Sequence, residues 1–201
     1  MKFLIPYFLL ATLGFAQTNF HAQWFAQAEK LGLSSTGLVL VVNADPHAQT
    51  MTVFDKKGTI NKTFKVSTAK KGIGNKVGSE KTPLGWHVIE ERIGGDQPTG
   101  RSFVNRKPQK EILKPDQWRN PDSGDYILTR ILWLRGLERG LNAGDPSISS
   151  HARGIYIHGT NQEYLLGQPA SHGCIRLSNR DTLELFDLVE HRHAYCLILA
   201  R

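Results

Sequence analysis

The chain has few cysteines: only Cys174 and Cys196 occur in 201 residues. Two cysteines exclude a disulfide-rich scaffold and allow at most one bridge. The paired ligand spacings of a structural zinc site, C-x2-C and H-x3-H, are also absent. Cys196 lies in the apolar stretch AYCLILA and is most simply a buried strand residue, whereas Cys174 lies in the polar stretch ASHGCIRLSN.

Long basic runs are also lacking, although the net charge is +7 and the pI about 9.5. The positive residues are scattered, apart from the pairs Lys56-Lys57 and Lys70-Lys71, and no aromatic residues alternate with them. A platform for single-stranded nucleic acid needs such a pattern, so nucleic acid is not an expected partner. The charge remains compatible with an anionic cell wall or substrate.

No apolar run reaches the roughly 20 residues that a membrane-spanning helix requires. The run over residues 3–13 is short and contains Pro6, follows the positive Lys2, and precedes small residues that end at Ala16. This layout is typical of a secretory signal peptide. We therefore predict a signal peptide over residues 1–16, export to the periplasm or cell envelope, and no transmembrane segment after cleavage; an uncleaved signal is the alternative.

The remaining chain predicts a mainly β fold. Residues 17–36 form a lead-in segment with a short amphipathic helix that ends at Gly32, and residues 37–201 form one domain. Closely spaced hairpins favour an antiparallel sheet. Strands are predicted over residues 38–42, 50–54, 59–66, 86–90, 126–134, 154–158 and 194–200, a long loop over residues 94–125, and a helix after the cysteine loop with Asn179 as its N-cap.

Cys174 has a setting that suits a nucleophile. A thiol attacks only as a thiolate, which a neighbouring imidazole or a helix N-terminus favours. His172 lies two residues before Cys174, and His158, 16 residues before it, ends a predicted strand that can fold back beside the thiol. A disulfide with Cys196, a zinc site formed by the two histidines and Cys174, or ordinary packing remain open alternatives.

Two further residues of the stretch could serve such a site. Gly173 lets the backbone approach a carbonyl substrate, and the N–H groups of Gly173 and Cys174 could form an oxyanion hole. Arg176 presents a planar fork that can hold a carboxylate, either on the substrate or within the loop.

The stretch from IYIHG to SHGCIRLSN resembles the active-site signature of the L,D-transpeptidase (YkuD-like) family. The resemblance also includes KTPLG, with Thr82, Pro83 and Gly85, and covers most of residues 37–200. The matching positions are His158, Gly159, Ser171, His172, Gly173, Cys174, Ile175, Arg176 and Asn179.

This resemblance implies a β-sandwich-like catalytic domain that acts on peptidoglycan stem peptides. Cys174 would attack the bond after meso-diaminopimelate, His158 would transfer the proton, and His172 would orient the site. The acceptor would be an amine of a second stem or of a wall-linked lipoprotein, and neither a metal nor an organic cofactor is implied. Arg176, Ser171, Tyr156 and Gly159 are the candidates for contacts with the substrate.

Two other functions stay open at this point. A hydrolase, either an L,D-carboxypeptidase or an amidase, would use the same cysteine and histidine with water as the acceptor. A non-catalytic wall-binding protein belongs to a different class and would not need the pair at all.

Overall fold

A computed structural model describes residues 24, 26–33, 37–55, 57–119, 124–190 and 193–201. The chain divides into two compact units, residues 1–35 and 36–201. In the first, residues 26–30 are helical and Gly32 follows with a φ of 68°, which confirms the expected short helix and its end. The predicted signal peptide lies outside the described residues. Within them, no helix is both long and apolar enough to cross a membrane.

The second unit is mainly β, as predicted. Its strands are β1 (Leu38–Asn43), β2 (Thr50–Phe54), β3 (Ile60–Lys65), β4 (Gly85–Ile93), β5 (Arg101–Val104), β6 (Lys107–Ile112), β7 (Ile127–Gly136), β8 (Tyr156–Thr160), β9 (Ile175–Leu177) and β10 (Ala194–Leu199). One α-helix of the unit, α1, spans Asn179–Leu188. Short 3₁₀ turns cover Pro115–Arg119 and Glu163–Leu165.

The strands form one mixed sheet rather than an antiparallel one. Their order is β3-β2-β1-β10-β4-β7-β5-β6, and β8 joins through β7 and carries β9 on its other side. The pairs β1–β10 and β8–β9 are parallel. The sequence predicted antiparallel pairing because many of its predicted strands are separated only by short turns. The strands of both parallel pairs are separated by longer connections, which the sequence pattern does not reveal.

The prediction of a long loop over residues 94–125 is partly wrong. It contains the hairpin β5–β6, which turns at Asn105 and Arg106 with positive φ values of 48° and 66°. Most of β6 (KPQKEI) is exposed and polar, so it lacks the apolar alternation that would reveal a strand.

Helix α1 begins as predicted, but its cap is Ser178 rather than Asn179. The Ser178 hydroxyl accepts a hydrogen bond from the Asp181 N–H. Asn179 is instead fully buried, and its side chain donates to the carbonyl of Thr160 on β8. This hydrogen bond therefore connects the start of the helix to the strand that carries His158.

The main core lies between the sheet and α1. Buried apolar residues of β1, β2, β7, β8 and α1 meet there, among them Leu40, Met51, Leu134, Ile157 and Leu185. Strand β9 contributes Ile175 and Leu177, both fully buried. Because these two residues fix β9 in the core, the end of the cysteine loop that leads into β9 is also held in place.

Candidate active site

The loop that carries Cys174 is held on two sides. Ser171 forms a parallel bridge with Ala69, and its hydroxyl donates to the Cys174 carbonyl at 2.6 Å. Thr82 donates its hydroxyl to the Gly173 carbonyl at 3.0 Å and accepts from the Ala69 N–H at 2.9 Å. The backbone around the cysteine is thus fixed by buried hydrogen bonds before any ligand binds.

The Cys174 sulfur lies against strand β8. The Tyr156 N–H donates to Sγ at 3.3 Å, and the thiol reaches the Gly154 carbonyl at 3.4 Å. Burial raises the pKa of the thiol to about 11, although the Tyr156 N–H and the charge of Arg176 act in the opposite direction. The resting cysteine is therefore a thiol, not a thiolate, at neutral pH.

His158 faces the same pocket, of about 220 Å³, as Cys174. Its Nδ1 lies 2.8 Å from the Gly159 carbonyl. Because a carbonyl only accepts, Nδ1 carries the proton, and Nε2 of the neutral ring is left as an acceptor. Burial lowers the pKa of His158 to about 4, so the imidazole is neutral at rest.

A carboxylate that the sequence did not suggest joins two of the predicted residues. Asp125 Oδ2 accepts from the guanidinium of Arg176 and from Nδ1 of His172, the latter at 3.1 Å. Arg176 is only 1% exposed, and its Nη1 also donates to Gln162 at 3.0 Å. Arg176 was expected to hold a carboxylate of the substrate or of its own loop, whereas in the structure it binds Asp125, which lies 51 residues earlier in the chain.

The remaining predicted residues have structural partners in this state. The Gly173 N–H donates to the Ser171 hydroxyl at 3.2 Å, so an oxyanion role requires it to exchange that bond for one to the substrate. Tyr156 accepts from Arg106 through its hydroxyl at 2.8 Å. A Cβ on Gly159 would lie 2.6 Å from Asn179 Oδ1, so only glycine fits there. Contacts of these residues with a substrate stay predictions.

The alternatives for the cysteine can also be compared with the structure. Cys174 and Cys196 are both free thiols, so the disulfide considered from the sequence is not formed. Among the described residues, no group of three or more His, Cys, Asp or Glu side chains is placed to hold a metal ion.

The model of the L,D-transpeptidase catalytic domain (YkuD) matches residues 39–194 of the chain. The chain belongs to this family. Comparison with curated proteins gave no match.

Three solved structures similar to this L,D-transpeptidase-type domain are distant from it in sequence. An L,D-transpeptidase from Mycobacterium smegmatis is 20% identical, with a TM-score of 0.44, over 82% of this chain and 59% of the other. The catalytic domain of the E. faecium L,D-transpeptidase is 15% identical, with a TM-score of 0.42, over 82% and 98%. The helical cell shape determining protein Pgp2 from Campylobacter jejuni is 16% identical, with a TM-score of 0.40, over 90% and 56%. The chain therefore spans less than two thirds of the length of two of these three proteins.

Sequence reasoning missed three residues of this L,D-transpeptidase-type site. Asp125 and Arg153 line the cysteine pocket, and Thr82 fixes the cysteine loop. Only Thr82 had a signal, as part of the KTPLG motif, although no role was assigned to it. Arg153 lies five residues before His158, just ahead of the predicted strand, but nothing in its sequence setting marks it as a site residue.

Proposed function

We propose that this protein is a peptidoglycan L,D-transpeptidase that transfers the acyl group of a tetrapeptide stem through a thioester on Cys174. The observation that carries the proposal is that Cys174 and His158 line one pocket, with the proton of His158 held on Nδ1. The imidazole is thereby left with an acceptor nitrogen for the thiol proton. Export to the periplasm is part of the same proposal, because the stem peptides lie outside the cytoplasmic membrane.

The first half-reaction starts from a neutral pair. As Sγ attacks the carbonyl of the diaminopimelate residue, His158 takes the thiol proton, so neither Cys174 nor His158 has to be buried as a charged group at rest. The imidazolium that forms keeps its Nδ1–H bond to the Gly159 carbonyl. The positive charge of Arg176 opposes the imidazolium, and the negative charge of Asp125 favours it. His158 then passes the proton to the departing amine of D-Ala, and a thioester remains on Cys174.

The fixed loop supplies a donor, the Cys174 N–H, for the tetrahedral intermediate. The Gly173 carbonyl and the Cys174 N–H belong to one planar peptide and point in opposite directions. Since Thr82 holds that carbonyl, it also sets the direction of the Cys174 N–H. A preorganised N–H of this kind stabilises an oxyanion without reorganisation during the reaction.

The second half-reaction is aminolysis of the thioester. An amine of a second stem, or a lysine of a wall-linked lipoprotein, attacks the thioester carbonyl and gives its proton to His158. As the C–S bond breaks, His158 returns that proton to Sγ. The products are a 3→3 cross-link, or a protein attached to the wall, and the free thiol.

Product analysis tests the proposal. Purified protein is incubated with disaccharide-tetrapeptides, and the products are resolved by mass. Free D-Ala together with 3→3 dimers is the expected result, and Cys174→Ala should form neither while Cys196→Ala forms both. Tripeptides without dimers would replace the transferase by a hydrolase, and no turnover at all would overturn both functions.

A further inference from the structure

Arg153 forms part of the wall of the cysteine pocket and is half-buried there. Its guanidinium donates from Nη1 to the Gly74 carbonyl at 3.1 Å and from Nη2 to the Lys81 carbonyl. A Cβ on Gly173 would lie 4.0 Å from Nη2. The guanidinium therefore lies close to the residue that precedes the nucleophile.

The charge of Arg153 differs from that of Arg176 in one respect. Arg176 is paired with Asp125, whereas among the described residues Arg153 has no carboxylate within salt-bridge distance. Two carbonyl groups use two of its five N–H donors and neutralise none of its charge. A half-buried cation without a counter-ion is costly, and an anion that enters the pocket removes that cost.

Among the described residues that line the pocket, no other cation is better placed for such an anion. His172, the other basic residue at the entrance, is already bound to Asp125, and its side chain is 70% exposed. Arg176 is almost fully buried and also bound to Gln162. Arg153 is the cation of the pocket lining that is not bound to a carboxylate or a side-chain oxygen of a described residue.

We infer that Arg153 binds a carboxylate of the donor peptide and so places the scissile carbonyl over Cys174. This inference rests on the proposed function, whose donor has a carboxylate at the C-terminus of the leaving D-Ala and another on the side chain of meso-diaminopimelate. Either one supplies the chemistry that the guanidinium recognises, a planar two-oxygen anion near the reacting carbonyl.

One test does not depend on peptidoglycan chemistry. Cys174 is alkylated above pH 9 with iodoacetate and with iodoacetamide, which differ by a carboxylate. The ratio of the two rates at one pH does not depend on the thiolate fraction of Cys174. It is divided by the same ratio for a small free thiol, which removes the intrinsic difference in reactivity between the two reagents. We expect a normalised ratio above one in the wild type, and a decrease of roughly fivefold in Arg153→Gln, as for one partly screened charge pair.

Two variants make this test specific. Arg139→Gln removes an exposed arginine of the same connection between β7 and β8 and should leave the ratio unchanged. Arg153→Lys keeps the charge and should retain most of the iodoacetate preference. A normalised wild-type ratio at or below one, or an equal decrease in Arg139→Gln, overturns the inference even if Arg153→Gln does not fold.

Amidated donors identify the carboxylate. Wild-type KM is measured with the tetrapeptide, with its C-terminal amide, and with the diaminopimelate side-chain carboxamide. The amide that removes the recognised group should raise KM about tenfold in the wild type and leave KM of Arg153→Gln unchanged. If wild type turns over all three donors with equal KM, the inference fails while the proposed function stands. If wild type turns over none, the proposed function fails and the alkylation ratio alone decides the role of Arg153.

Discussion

Cys174 should be a weakly acidic thiol that reacts slowly with alkylating reagents near neutral pH. Its pKa of about 11 arises from burial, which disfavours the thiolate. At pH 8 about 0.1% of such a thiol is ionised, compared with about a quarter of an exposed cysteine with a pKa near 8.5. The reaction of Cys174 with iodoacetamide should therefore be about two hundred times slower than that of an exposed thiol.

The measurement is the second-order rate constant between pH 7 and pH 11, with modification assigned to each cysteine by peptide mass. We expect the rate at Cys174 to rise about tenfold per pH unit up to about pH 10. His158→Gln should shift this profile by less than about half a pH unit, because the imidazole is neutral at rest and contributes no charge. A plateau below pH 7.5 that disappears in His158→Gln would refute the reasoning, since it would identify a resting thiolate–imidazolium pair.

Three further predictions concern the surroundings of the thiol. Asp125→Asn removes the carboxylate partner of the buried Arg176 and should lower the free energy of unfolding by about 2 kcal/mol. The loss is smaller than for a fully buried ion pair because Asp125 is about a third exposed. Thermal denaturation should then show a Tm lower by about 4–8 °C. The exposed control Asp116→Asn should not change the Tm, and an unchanged Tm in Asp125→Asn would contradict the pairing. Burial lowers the pKa of both His87 and His158 to about 4, below their unfolded value of 6.5, so the stability present above pH 6.5 should fall as the pH drops towards 4. Urea denaturation should show that the free energy of unfolding is lower at pH 4.5 than at pH 7 by roughly 2–3 kcal/mol per histidine. If His87→Gln loses as much as the wild type between these pH values, His87 makes no contribution. Thr82→Val removes the bond to the Gly173 carbonyl and should lower kcat roughly tenfold with little change in KM, while Thr82→Ser retains activity; a selective rise in KM would contradict this role.

The sequence allowed much of the sheet to be predicted, because its strands carry their own signals. The strand over residues 50–54 was located to the residue, and those near 38–42 and 194–200 within one or two, since apolar runs with short turns between them define strands locally. The short β9, of three residues, gave too little periodicity for a prediction. The polar strand β6 shows no apolar alternation, so it was not predicted as a strand.

The site could be predicted only where its residues lie close together along the chain. His158 and Cys174 stand in recognisable stretches, and the structure places them in one pocket. Asp125 reaches this pocket from the segment before β7, 51 residues before the Arg176 that it binds. Such a pairing depends on which strands become neighbours, and local spacing contains no information about that. Arg176 was expected at the site, but its partner inside the protein was not.

The central claim is that Cys174 carries the acyl group, and trapping that intermediate tests it most directly. The protein is incubated with a tetrapeptide whose free diaminopimelate amine is acetylated, so that the peptide can donate but not accept. The reaction is then quenched in acid, and the protein is digested and mapped by mass. We predict release of D-Ala and a tripeptide acyl adduct on the peptide that contains Cys174, an adduct that Cys196→Ala retains and Cys174→Ala lacks. Release of D-Ala by Cys174→Ala at the wild-type rate, or an adduct on a different residue, would contradict the account.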